Sequence, residues 1–264
     1  MTSVAASAQA CAALLERDLR AVLRSRSQLY SSLLLPLMVL AILGTGVSEG
    51  LEPESVAESD YSSFLVPGVM VMTLVFSSTF SSASLYYDRD WGILKVLLAS
   101  PHSGRVILLG KSLGSIVTGS LQALAVLAIA AAVPALDLEW QYGVPQGIAL
   151  ATASILLLAV FLSGAAQAVA SFIRTMQGFH LVMNLVLFPL LFFSGAFFPL
   201  EDLPVWLKVL AAVNPLSYAV DLLRIALYAD GSAYFGFATD ILVLGVGAPL
   251  VYWWGVGRPQ PYRL

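Results

Sequence analysis

Charge is scarce in this 264-residue chain: 11% of its residues are Asp, Glu, Lys or Arg, whereas 59% are hydrophobic. A soluble domain carries about a quarter charged residues, and a short chain cannot enclose so much apolar surface in one water-facing core. Lipid is therefore the expected solvent. Cysteine is nearly missing too: Cys11 stands alone, so no intrachain disulfide forms, and it reads as a small apolar residue on a helix. The two histidines, His102 and His180, lie in different regions with no carboxylate or cysteine nearby, which excludes a zinc site of ordinary spacing. No metal site is expected, and no G-x-S-x-G elbow is present. The first 28 residues are Ala/Ser-rich and then charged, without the pattern of a cleaved signal. The first apolar stretch is expected to serve as the insertion signal.

What is present is a series of long apolar runs. A bilayer core about 30 Å thick needs roughly 20 mostly apolar residues in a helix. Six stretches qualify: Leu29–Val47, Phe64–Tyr87, Val106–Val133, Ile148–Phe172, Phe179–Phe198 and Phe237–Trp254. Unpaired backbone amides are too costly in hydrocarbon for these to be anything but helices. The predicted fold class is an all-α membrane protein of six spans.

The connecting segments divide by charge. One set holds Arg17, Arg20, Arg24, Arg26, Arg89, Lys95, Arg105, Lys111, Arg174, Arg258 and Arg263; the other holds only Lys208 and Arg224. Basic residues stay on the cytoplasmic side, so the first set is expected inside, with both ends. The opposite segments carry Glu49, Glu52, Glu54, Glu58, Asp60, Asp137, Glu139, Glu201 and Asp202. The domain reading is a cytoplasmic segment 1–28, a six-span domain 29–254 and a tail 255–264.

Cys11–Ser27 reads as an amphipathic helix. Cys11, Leu15, Leu19, Val22 and Leu23 recur at helical spacing, with Glu16, Arg17, Arg20 and Arg24 opposite. Such a helix lies at the lipid–water boundary with its arginines among headgroups; the plainer reading is a positive-inside flank. The segment from Pro199 to Arg224 is too apolar for a solvated loop and too broken by proline for a span. Pro204 suits a first helical turn, and Asn214-Pro215 ends one helix and begins another. Two short re-entrant helices are expected there.

Gly104–Ser112 imitates a phosphate-binding loop but has five residues between its glycines instead of four, and Val106–Leu109 open a span. The span centres contain no Asp, Glu, Lys or Arg; their polarity comes from Gln122, Gln167, Asn184 and scattered hydroxyls. These three are the pathway candidates, and a proton-relay carrier is not expected.

Two stretches carry a resemblance: Asp88-Arg-Asp-Trp-Gly-Ile-Leu-Lys to Pro101 and on to Lys111, and Met183 to Leu200 continuing through Leu203-Pro-Val-Trp to Asn214-Pro-Leu-Ser-Tyr-Ala-Val-Asp-Leu-Leu-Arg224. Both resemble the permease subunits of ABC-2-type exporters, nearest the daunorubicin-resistance and nodulation-factor branch. One departure is Lys95, where that family usually carries a glutamate. The resemblance implies a dimer, with a second copy or a sister permease, engaging cytoplasmic ABC ATPase subunits. ATP and Mg would sit in the ATPase, with no cofactor in this chain. It implies that the loop around Asp88, Arg89, Asp90, Trp91, Leu94, Lys95 and Pro101, with Arg17 and Arg20 of the N-terminal helix, couples to the ATPase. It also implies that spans one and five approach the dimer mate. Trp91, Leu94, Leu97 and Leu98 would give a short helix one apolar face, ended by Pro101; the bland reading is an ordinary inside loop. Trp206, Asn214, Pro215 and Tyr218 are candidates for the outer end of the pathway, with Trp206 equally readable as an interfacial anchor. The expected function is export of an amphiphile (lipid, glycolipid or hydrophobic drug) across the cell membrane, with lipid but no nucleic acid as a partner. The rival readings are an intramembrane lipid-modifying enzyme, which would need clustered His, Asp, Glu or Cys, and a non-transporting assembly protein.

Overall fold

The computed structural model describes residues 4–48, 61–99, 103–133, 136, 138, 140, 142–201, 203–228 and 234–257. The helices are α1 (Val4–Arg24), α2 (Arg26–Ser48), α3 (Tyr61–Asp90), α4 (Ile93–Leu98), α5 (Gly104–Ala132), α6 (Val144–Ala170), α7 (Met176–Phe192), α8 (Val205–Val213), α9 (Pro215–Leu227) and α10 (Phe237–Gly257). No strand occurs among the described residues.

Side-chain contacts fix the direction of each long helix. Tyr61, at the start of α3, donates to the carbonyl of Phe197 near α8, while Tyr86, near its end, donates to Ile173 after α6. Ser163 of α6 meets Ser112 of α5, and Tyr252 of α10 also meets Ser112. These contacts define two ends of the bundle, an α4 end and an α8 end. The helix α3 is the centre, buried along most of its length against α2, α5, α6, α7 and α9, whereas α10 is largely uncovered. Leu65, Met70 and Leu74 of α3 join Ile155, Leu158 and Leu162 of α6 and Leu216 and Leu222 of α9 in the core.

Four helices, α3, α5, α6 and α10, are long and apolar enough to cross a bilayer, and α8 with α9, bent by 88°, makes a fifth candidate. Shorter apolar helices run over Ser32–Gly44 within α2 and along α7. The expected fifth span, Phe179–Phe198, is thus corrected at its far end: the helix stops at Phe192. Ser194 turns its hydroxyl back to the Leu191 carbonyl, and Gly195 takes a left-handed conformation (φ 77°).

The N-terminal helix also differs in register from the expected Cys11–Ser27. It is already formed at Val4 and stops at Arg24, with Ser25 between it and α2. Its enclosed face is Leu14 and Val22, packed on α5, whereas Leu23 is exposed. Close approach is possible because α5 presents glycine at Gly110 and Gly114, one turn apart. A Cβ at Gly110 would lie 2.8 Å from Leu14 Cδ1, and one at Gly114 would lie 3.2 Å from Asp18 Cβ. The false phosphate loop is therefore a helix-packing surface.

Candidate functional site

Four charged side chains meet where α1, α3 and α5 converge at the α4 end. The helix α3 delivers Asp88 two residues before its end, and α5 delivers Lys111 from its third turn. The Lys111 ammonium lies 2.5 Å from Asp88 Oδ2 and 3.9 Å from Asp18 Oδ2, and it donates to Ser84 Oγ at 3.1 Å. Arg17 donates to Asp88 Oδ2 at 2.9 Å and to Asp18 Oδ1 at 2.8 Å. Two cations thus answer two carboxylates. Burial works against the charge on Arg17, but its hydrogen bonds to Asp88 and Asp18 and their negative charge outweigh burial and hold it above its ordinary value. Charge-assisted bonds in a partly desolvated setting are stronger than surface ion pairs. The cluster therefore ties the N-terminal helix and both flanks of the α4 turn into one joint.

The joint adjoins, through α3, a short and partly exposed helix. Gly92, in a left-handed conformation (φ 74°), turns the chain from α3 into α4. The expected single apolar face of this segment divides in two. Leu94 is 6% exposed and packs inward, whereas Trp91 is 74% exposed, its ring tilted against that of Tyr87 at 5.9 Å between centroids. Val96 is exposed alongside Lys95, and Asp90 is exposed at the end of α3. Arg89 donates to the carbonyl of Arg174, so it braces the α6–α7 connection. Asp88 and Arg17 are both held in the joint, with the Arg17 side chain still 37% exposed. Arg20 is exposed and paired with Glu16. Pro101, with His102, lies outside the described residues.

Lys111 and Asp18 were missed as members of this site. The available signal was a lysine set several residues inside an apolar run, which is costly without a partner; counting it as flanking charge concealed that.

At the α8 end, Asn214 is the corner between α8 and α9. Its Oδ1 accepts from Leu216 N at 3.0 Å, capping α9, and its Nδ2 donates to the Leu190 carbonyl at 2.5 Å. Pro215 occupies the first position of α9, where a missing N–H costs nothing. Tyr218 is buried, donates to the Ala212 carbonyl and stacks on Phe235 with ring centroids 4.6 Å apart. Trp206 is 62% exposed on α8, so it and Tyr218 do not form one surface. The pathway candidates are not brought together either. Gln122 and Gln167 are buried, whereas Asn184 is exposed on α7 beside Leu181 and Leu185. With Ser112 opposite Ser163, Gln122 and Gln167 lie on opposite sides of that level, roughly 20 Å apart along the helix axes. No group of three or more His, Cys, Asp or Glu that could hold a metal occurs among the described residues.

Residues 9–228 match the ABC-2 type transporter family, and the chain belongs to that family as a transporter permease. It is a multi-pass membrane protein. Among its relatives, the Daunorubicin resistance ABC transporter permease protein DrrB1 of Streptomyces coeruleorubidus is 30% identical, over 90% of this chain and 79% of its own length. Nodulation protein J of Bradyrhizobium diazoefficiens is 29% identical, over 80% of this chain and 76% of its own. The Probable multidrug ABC transporter permease YbhR of Escherichia coli K12 is 28% identical over 66% of this chain, a match spanning 46% of that relative. The daunorubicin and nodulation branch is the one that the sequence motifs resemble.

Proposed function

We propose that this chain is the membrane half of an ATP-driven exporter, moving an amphiphilic substrate outward across the cell membrane under the power of a separate cytoplasmic ATPase that binds ATP and Mg. The observation that carries this reading is the α4 end: an exposed Trp91–Val96 edge backed by the Arg17–Asp18–Asp88–Lys111 joint. A protein with no nucleotide site of its own must receive force through a surface contact, and a rigid joint behind that contact passes the displacement to α3, α5 and α1 together. In this reading α2, α3, α5, α6, α7 and α10 are six spans, both termini and α4 are cytoplasmic, and α1 is an amphipathic helix at the inner boundary. The exposed apolar faces of α2 (Leu34, Met38, Ile42) and α7 (Leu181, Leu185, Phe192) would meet a second permease copy or a sister chain. An amphiphilic cargo is supported by spans that carry little charge and by relatives whose names refer to drug resistance and to nodulation.

The test is reconstitution with a candidate ABC ATPase drawn from the neighbouring reading frames. Stimulated ATP hydrolysis in the joint complex, lost in Trp91→Ala, is expected. An ATPase that neither binds the permease nor changes its turnover overturns the reading and favours an assembly role.

A further inference from the structure

The α8 end sets two buried carboxylic side chains against one another. Asp240, in the first turn of α10, is 0% exposed, and no N–H or O–H donor among the described residues reaches either of its oxygens. The group within hydrogen-bonding contact of it is the carboxyl of Asp221, on α9, which is 3% exposed. Two carboxylates that close repel, and a buried carboxylate without a donor loses its hydration uncompensated. Two acceptors bond to one another only when one of them carries a proton.

The hydrogen bonds say which one. Asp221 Oδ1 accepts from the backbone N–H of Tyr234 at 3.1 Å and Oδ2 from that of Phe235 at 2.9 Å, so each of its oxygens already holds a donor. Asp240 has no such support among the described residues. Among the described residues no cation forms an ion pair with Asp240. Arg224, on the same helix as Asp221, feels the charge of Asp221, but it donates to the Gly195 carbonyl at 2.6 Å and lies 4.0 Å from the Phe64 ring centroid. Tyr228 donates to the Ser63 carbonyl, Tyr218 to the Ala212 carbonyl and Tyr61 of α3 to the Phe197 carbonyl. Tyr234 stacks edge-on against Phe235. Glu201 adds only negative charge, and α6, which packs against both α9 and α10, contains no ionisable residue.

We propose that Asp240 and Asp221 form a proton-binding site, with one proton on Asp240 donated to Asp221, and that this proton locks the turn before α10 over Tyr218. The turn is the lever: the same carboxylate that receives the proton's hydrogen bond holds Tyr234 and Phe235 by their amides, and Phe235 covers the Tyr218 ring. Loss of the proton sets two anions in contact and frees the turn. The site makes the α8 end sensitive to pH on its side of the membrane, whatever the cargo.

The experiment is infrared spectroscopy of the full chain in lipid nanodiscs, with 13C-labelled aspartate, in H2O and D2O. A protonated-carboxyl C=O band that shifts in D2O is expected in the native chain, absent in Asp240→Asn and displaced in Asp221→Asn. A native spectrum without such a band overturns the proposal, and that measurement needs no variant. Hydrogen exchange gives a second reading. Asp240→Asn retains a donor to Asp221, so protection of the Tyr234 and Phe235 amides should persist and lose its excess dependence on pH. The same excess pH dependence in native and Asp240→Asn chains would equally sink it. Neither measurement reads transport, so the outcome is separate from that of the proposed export function.

Discussion

The ammonium of Lys111 and the carboxylate of Asp88 lie 2.5 Å apart across the α3–α5 packing, with the lysine side chain 3% exposed and the aspartate 10%. Breaking a buried pair from one side leaves an uncompensated charge, at a cost of about 3 kcal/mol or more. Lys111→Met should lower the thermal unfolding midpoint in detergent strongly, and Lys111→Met with Asp88→Asn should recover part of the loss. Additive losses in that double-mutant cycle would show that the pair is not coupled.

A second expectation separates the joint from the docking edge. Trp91→Ala removes an exposed aromatic anchor and leaves the joint intact. Losing such an anchor costs an interface about 2 kcal/mol, which weakens binding over tenfold. Co-purification of the ATPase should fall while permease abundance and melting stay unchanged. Reversal of Asp88 should lower abundance itself. An ATPase retained in full by Trp91→Ala assigns the contact elsewhere on the surface.

Seating of α1 on the glycines of α5 is open to a chemical probe. The Cys11 thiol contacts the Val106 carbonyl at 3.4 Å, and burial pushes its pKa up, so little of the reactive thiolate forms near neutrality. Maleimide labelling should be slow in the native protein and quicken as pH rises. Gly110→Val drives a side chain into Leu14, should unseat α1 and should speed labelling at neutral pH. Equal rates in both proteins would mean that α1 is held without that contact.

Topology is tested with cysteines placed at Ser55 and Ser103 in a Cys11→Ala background. An impermeant thiol reagent on intact cells should label position 55 and spare position 103. The reverse pattern would invert the whole arrangement.

The corner at Asn214 predicts a local effect. Its one amide group caps α9 and closes onto α7, and Asn214→Ala removes both bonds; loss of a helix cap alone costs about 1 kcal/mol. Melting should drop by at least that much. Asn214→Asp, which keeps the cap and loses the Leu190 bond, should fall between.

Local signals in the sequence carried far in this protein. The apolar runs located the long helices, and Asn214-Pro215 marked a true corner because capping and the missing proline N–H act within a few residues. What stayed hidden depends on chain separation. Asp88 reads as loop charge until Lys111 and Arg17, on two other helices, are placed beside it. Trp91 and Leu94 look equivalent by spacing, and only the left-handed Gly92 decides which of them faces the bundle. Asp240 lies near the start of the last apolar run, and nothing in the sequence brings it to Asp221. Phe193–Phe198 is apolar enough to continue a helix, and a hydroxyl and a glycine end it instead.

The central position of α3 has a consequence for biogenesis. Its buried side includes Ser77 and Ser82, whose hydroxyls have no hydrogen-bond partner among the described residues, along with Thr73 and Thr79 bonded to their own helix backbone. These groups tolerate enclosure by protein better than by acyl chains. Yet α3 leaves the ribosome well before α5, α6 and α9, which cover it. During synthesis it must either linger beside the insertion machinery or wait in lipid with its hydroxyls uncovered, so the helix that ends up most sheltered is the one whose early membrane residence is least comfortable.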